Sequence, residues 1–188
     1  MDARAVISVS VAGITTLALN GTQLWRRQWL STPPFIDVAF VGDFAVSSFS
    51  SNGSTQCGTV FVLVANSDRA GFVLALNCSG GFIAAYSLYN RITQYVGPNL
   101  LVDVDGITVY VSTMDQCEGP HTNACLALVA LQLQVQADGR YALVMLWLSS
   151  PYTAIEGEGF MAIGPHAGQL SFLNWYGLFL LGAAAGRP

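Results

Sequence analysis

Lysine is absent from this chain of 188 residues, and charge of either sign is scarce: seven arginines stand against eleven carboxylates, and charged residues make up 10% of the sequence. An ordinary soluble domain carries about 25%. With a net charge of −4 and Arg26-Arg27 as the single adjacent basic pair, no patch can neutralise several phosphates, which excludes the usual nucleic-acid interface. Long apolar runs are missing too. The uncharged stretches 5–25, 44–67 and 159–186 are each broken by Ser, Thr, Asn, Gln, Gly or Pro. None supplies the roughly 18 continuous apolar residues of a membrane-spanning helix. The tail 172–186 comes nearest, and a buried strand pair accounts for it equally well. Cys-x-x-Cys, G-x-S-x-G and the phosphate-binding P-loop pattern are all absent. So is any sustained i, i+3, i+4 periodicity bounded by caps.

What the chain has in quantity is apolar residues, at 53%, which excludes intrinsic disorder. They come in short strand-like runs: VISVSV, ITTLAL, FIDVAFV, FAVSSF, TVFVLVA, FVLALN, FIAAYSLY, LLVDV, ITVYVS, LALVALQL and YALVMLWL. Turn signals separate them, among them Ala12-Gly13, Asn20-Gly21, Gly42-Asp43, Ser79-Gly80-Gly81, Asp105-Gly106 and Asp138-Gly139. Many short strands between tight turns predict an antiparallel all-β fold: a propeller, a sandwich or a barrel. The length suits one domain over 1–188, or a segment of a larger one. At the N-terminus, Ile7-Ser8-Val9-Ser10-Val11 alternates with period two and is expected as a first strand. A cleaved signal with Thr16 and Ala18 as its small residues is the competing reading.

A repeat chooses among these architectures. Asp105-Gly106 opens a strand over 107–112, a loop follows, then a strand over 126–133, the turn Ala137-Asp138-Gly139 and a strand over 141–148 that carries Trp147. Gly42-Asp43 opens a similar series upstream, and the triplets Ala18-Leu19-Asn20, Ala75-Leu76-Asn77 and Ala130-Leu131-Gln132 mark its beat. The sequence Leu17-Ala18-Leu19-Asn20-Gly21-Thr22-Gln23-Leu24-Trp25 resembles the PQQ-like (quinoprotein) β-propeller repeat. So does Val73-Leu74-Ala75-Leu76-Asn77-Cys78-Ser79-Gly80-Gly81, with Tyr86 or Tyr89 in place of the tryptophan. The resemblance implies antiparallel strands in propeller-like blades. About three fit in this chain, which is an incomplete ring for a family of six to eight blades. An open ring of that kind is expected to expose two apolar faces and to need a partner chain or self-association. Enzymes with this repeat bind pyrroloquinoline quinone and a divalent cation. No vicinal cysteine pair and no matching Glu, Asn and Asp set occurs here, so no cofactor and no catalytic residue is carried over.

Several residues remain as site candidates. Asp43, Asp103 with Asp105, and Glu156 with Glu158 recur near strand starts. Each pair, two apart, would share one side of a strand as a cation site or acid–base pair. Their role as turn formers and solvated carboxylates is the favoured alternative. Cys117, His121 and Cys125 form a C-x3-H-x3-C series with three metal-capable side chains, against a zinc requirement of four. A Cys117–Cys125 disulfide and free thiols are the other readings, so no metal is expected. Cys57 and Cys78 lie equidistant from a turn centred between Ser67 and Asp68, and a hairpin about that centre would set them opposite each other, near enough for a disulfide, with free core-packed thiols as the favoured alternative. Asn20, Asn52 and Asn77 head glycosylation sequons, which together with the cysteines lean toward an extracytoplasmic location. Trp25, Trp29, Tyr86, Tyr89, Tyr110, Trp147, Trp175 and Tyr176 are expected to pack rather than to line a sugar-binding face. His121 and His166 have no triad context, and Gly157-Glu158-Gly159 is a turn rather than a dinucleotide loop.

The function this supports is a non-enzymatic scaffold or protein-interaction module that self-associates or binds a protein partner, away from nucleic acid and membrane. A structural coat or particle protein, a fragment of a PQQ-dependent dehydrogenase and a lectin-like binder are the alternatives. Dye reduction that appears only with added quinone and Ca²⁺ separates the dehydrogenase reading from the first.

Overall fold

The computed structural model of the chain describes residues 5–29, 38–51, 54–67, 70–92, 100–116, 124–148, 159–164, 169–174 and 177–182. The fold is all-β, and no α-helix occurs among the described residues. The strands are β1 (Ala5–Ser10), β2 (Gly13–Ala18), β3 (Gln23–Gln28), β4 (Phe40–Ser51), β5 (Ser54–Ala65), β6 (Ala70–Asn77) and β7 (Phe82–Ile92). They continue as β8 (Leu100–Val102), β9 (Thr108–Gln116), β10 (Ala124–Val135), β11 (Tyr141–Leu148), β12 (Gly159–Ile163), β13 (Gln169–Asn174) and β14 (Gly177–Gly182). Every pairing is antiparallel between chain neighbours except one: β7 meets β9 at the single pair Ile92 and Met114. That bridge joins two four-stranded meanders, β4-β5-β6-β7 and β8-β9-β10-β11, into one sheet. Three-stranded sheets flank them in sequence, β1-β2-β3 before and β12-β13-β14 after.

Alternation along the strands turns these meanders into layers. On β5, Phe61 and Leu63 point one way and Val60, Val62 and Val64 the other, and all five are fully buried. A strand with apolar residues at consecutive positions must be covered on both faces, and the two coverings here differ. Phe61, Leu63, Val73 and Ala75 pack with Leu100, Val109, Val111, Val129 and Leu131, so the two four-stranded meanders lie face to face. Val60, Val62, Val64, Leu74 and Leu76 pack with Ile14 and Trp29, which places β1-β2-β3 on the opposite side. Beyond β9 and β10, Tyr110, Leu128 and Ala130 pack with Leu170, with Trp147 and Ile163 alongside, so β12 and β13 form the last layer. The order of layers follows the chain, and the described residues make no closed ring. Burying a Val, Leu or Phe side chain is worth roughly 1.5–3 kcal/mol, and the doubly covered β5 concentrates five of them.

Three hairpins repeat one device. Gly21, Gly80 and Gly139, with φ of 83°, 80° and 80°, stand 59 residues apart, from 21 to 80 and from 80 to 139. Each donates its N–H to the carbonyl three residues back (Ala18, Asn77 and Gln136), while those residues donate to Thr22, Gly81 and Arg140. This is a three-residue hairpin loop ending in a left-handed glycine. It sets the register of the repeat, and it corrects the triplet beat. Ala18 matches Asn77 and Gln136, so Ala18-Leu19-Asn20 is not the counterpart of Ala75-Leu76-Asn77. By the same spacing Trp29, Leu88 and Trp147 correspond, and Trp25 falls against Ala84 rather than Tyr86 or Tyr89.

The outer face of β1-β2-β3 departs from the apolar face expected of an open array. Ile7, Val9, Ile14 and Trp25 face the core. The opposite face presents Ser8, Ser10, Thr15, Arg26 and Gln28 beside Val6 and Leu17. A polar outer face on a terminal layer is what keeps a stacked array soluble.

Candidate functional site

Two clusters of polar side chains lie between or beside the layers. The first surrounds Asp103, in the turn between β8 and β9. Asp103 is 4% exposed, and its Oδ1 accepts the Val104 N–H at 2.6 Å while its Oδ2 accepts the Tyr110 hydroxyl at 2.7 Å. Two residues on, Asp105 is exposed and braces the same turn: Oδ1 accepts the N–H groups of Ile107 and Thr108, and Oδ2 accepts the Thr108 hydroxyl. Gln132 on β10 donates to Thr108 Oγ1 at 3.2 Å, and Gln134 donates to Gln132 Oε1. The expected strand placement of Asp103 and Asp105 on one face is therefore corrected. Both sit in the turn, where a short carboxylate finds backbone donors within two or three residues, and one is buried while the other meets solvent.

Burial, chiefly, and then the hydrogen bond and negative charge of Asp103 with a contribution from Asp105, push the Tyr110 phenol well above its ordinary value of 10.0. A phenol so raised stays protonated and serves as a hydrogen-bond donor, which suits an anchor rather than a proton-transfer group working near neutral pH. Its ring lies 6.1 Å from that of Trp147, tilted by 35°. The Trp147 indole N–H is buried without a hydrogen-bond partner among the described residues.

The second cluster clamps the first layer to the next. From β3, Trp25 Nε1 donates to the Cys78 carbonyl at 2.6 Å and Arg27 donates to the Gly80 carbonyl at 2.9 Å. The Trp25 ring presses on Gly80 so closely that a Cβ there would come within 2.6 Å of it. Cys78 is disulfide-bonded, and its sulfur lies 2.8 Å from the Gly58 carbonyl. A disulfide sulfur has no proton to donate, so this is a packing contact. The hairpin of β5 and β6 pairs Thr59 with Asn77 and Ala65 with Gly71. The pairs are centred on position 68, half a residue from the expected centre. The side chain of Cys57 lies outside the described residues.

The other candidates are placed as follows. Asp43 on β4 accepts the Phe44 N–H at 2.8 Å and, across the layers, the Leu100 N–H at 3.2 Å. Asp138 lies 3.6 Å from Arg140 and accepts its N–H. Asn20 and Asn77 are exposed in their turns, and each side-chain oxygen accepts a backbone N–H two residues on, from Thr22 and Ser79. Trp25, Trp29, Tyr110 and Trp147 pack in or against the cores. Cys117, His121, Glu156, Glu158, His166, Trp175, Tyr176 and Asn52 fall outside the described residues, as do the side chains of Cys125 and Tyr89. Among the described residues no three of His, Cys, Asp and Glu come together. The described carboxylates are dispersed and engaged by backbone and hydroxyl donors, so they do not fit a quinone and cation site.

The sequence reading missed the Asp103–Tyr110 pair and the Trp25–Gly80 clamp. For the clamp a signal was present: the equal spacing of Gly21, Gly80 and Gly139. No protein-family model matches the chain, and comparison with the curated proteins finds no relative.

Proposed function

We propose that this chain is a non-enzymatic scaffold: a run of propeller-like blades that presents its edges and faces to protein partners, further copies of itself included. The observation that carries the reading is the double covering of β5, whose alternate residues enter two separate cores. Successive antiparallel meanders stacked in chain order, with the same glycine hairpin every 59 residues, are what a blade array requires. The two polar clusters act within this reading as braces, one within the β8–β9 turn and one between the first two layers. Static light scattering after size exclusion tests it. The scaffold reading expects a discrete oligomer larger than the 20.0 kDa chain. A monomer at every concentration contradicts it and favours a self-contained sandwich.

A further inference from the structure

The strands that close the first three layers, β3, β7 and β11, each follow one of the equally spaced glycine hairpins. The first two carry charge: β3 reads QLWRRQ with Arg26 and Arg27, and β7 contains Arg91. Charged side chains are a common guard against strand-to-strand association at a sheet edge. The third, β11, reads YALVMLWL and has no charge, no proline and no glycine. Among the described residues its backbone pairs with β10 alone, which leaves its far edge without a strand partner, while on one face β7 lies against it and the Tyr86 hydroxyl sits 3.6 Å from the Met145 sulfur. Its regular part runs from Tyr141 to Met145. There Met145 faces Leu131 while Trp147 faces Ala130, and Leu146 is the extra residue of a bulge.

We propose that β11 is a strand-addition surface whose occupant is β11 of a second copy, paired antiparallel about a two-fold axis through Leu143. This names the surface used in the self-association proposed above, and it rests on that reading. The choice of occupant follows from the strand itself. About Leu143, residue 141 of one copy meets residue 145 of the other, and 142 meets 144. Tyr141 and Met145, the exposed large residues at the two ends of the regular edge (53% and 45%), are thereby brought together twice. Both lie on the Leu143 side of the sheet, and a thioether against a phenol ring is a favourable contact. Every position is uncharged, so self-pairing meets no like-charge repulsion. Two identical open edges satisfy each other in an isologous dimer and leave neither exposed.

Light scattering on the full chain and three variants tests this. The wild type is expected as a dimer. Met145→Lys and Tyr141→Lys, each placing a charge at an exposed position, are expected to reduce the mass to that of the monomer while keeping a cooperative melt. The double variant Tyr141→Glu with Met145→Lys is expected to recover the dimer, because each carboxylate then faces the partner's ammonium. An oligomer whose mass neither single variant changes overturns the assignment to β11 and leaves the scaffold reading standing. Loss of the dimer in both single variants without recovery in the double variant overturns the two-fold pairing about Leu143. A monomeric wild type overturns both.

Discussion

A phenol held against a buried carboxylate ties local structure to pH. The Tyr110 hydroxyl and Asp103 are 2.7 Å apart, and Tyr110→Phe removes that donor from a carboxylate that is 4% exposed. The expected loss is about 1–3 kcal/mol by urea denaturation at neutral pH. The folded protein holds the Tyr110 proton more tightly than the unfolded chain does. Stability from this source is therefore complete below the ordinary phenol value of 10.0 and falls as pH rises above it. The gap between wild type and Tyr110→Phe accordingly narrows above that pH. A gap that stays constant through the alkaline range contradicts the pairing. Glycine supplies a second comparison. Gly80 and Gly139 share a φ of 80°, but a Cβ at 139 meets nothing within 4 Å while one at 80 meets the Trp25 ring at 2.6 Å. Left-handed strain alone costs a non-glycine residue about 1–2 kcal/mol, and overpacking adds roughly 1–3 kcal/mol. Gly139→Ala is expected to show the first cost and Gly80→Ala both, in parallel denaturation curves. Equal losses would mean that Trp25 does not press on the turn.

At the scale of elements, the clamp from β3 onto the turn after β6 joins two layers by hydrogen bonds as well as by apolar contact. Trp25→Phe keeps an aromatic side chain but deletes the donor to the Cys78 carbonyl and one of the two rings of the indole that lies on Gly80. We expect a cost of about 1–2 kcal/mol, with faster amide exchange in β3 than in β10. An unchanged exchange pattern would remove the clamp from the account. The strands themselves were legible in the sequence wherever apolar runs met Gly, Asn or Asp turns. VISVSV and YALVMLWL correspond to β1 and β11 within a residue. Registers were less legible. The β5–β6 centre moved by half a residue because Ala65 pairs with Gly71, a pairing set by the Asn66 turn, in which Asn66 accepts the Ala70 N–H. The repeat was misread by two residues at its first step and four at its second because Ala-Leu-Asn triplets are common in such a chain. The left-handed glycine is the position that backbone geometry constrains.

For the whole molecule, low charge and a high apolar fraction follow from the layering. Strand segments covered on both faces have no polar side to show, and residues 60–64 of β5, 73–76 of β6, 109–111 of β9 and 128–131 of β10 are of that kind. The polar residues collect where the layers end, on the outer face of β1-β2-β3 and in the turns. Composition made the all-β core legible. It could not reveal the Asp103–Tyr110 pair, since a turn aspartate and a strand tyrosine seven residues apart meet only once β8 and β9 have paired. The stacked order of layers is the central claim, and amide hydrogen exchange followed by mass spectrometry tests it most directly. Residues 60–64 and 109–111, covered on both faces, are predicted to exchange slowest, and 5–10 in the outermost layer to exchange orders of magnitude faster. Similar rates for 5–10 and 60–64 would contradict the stack.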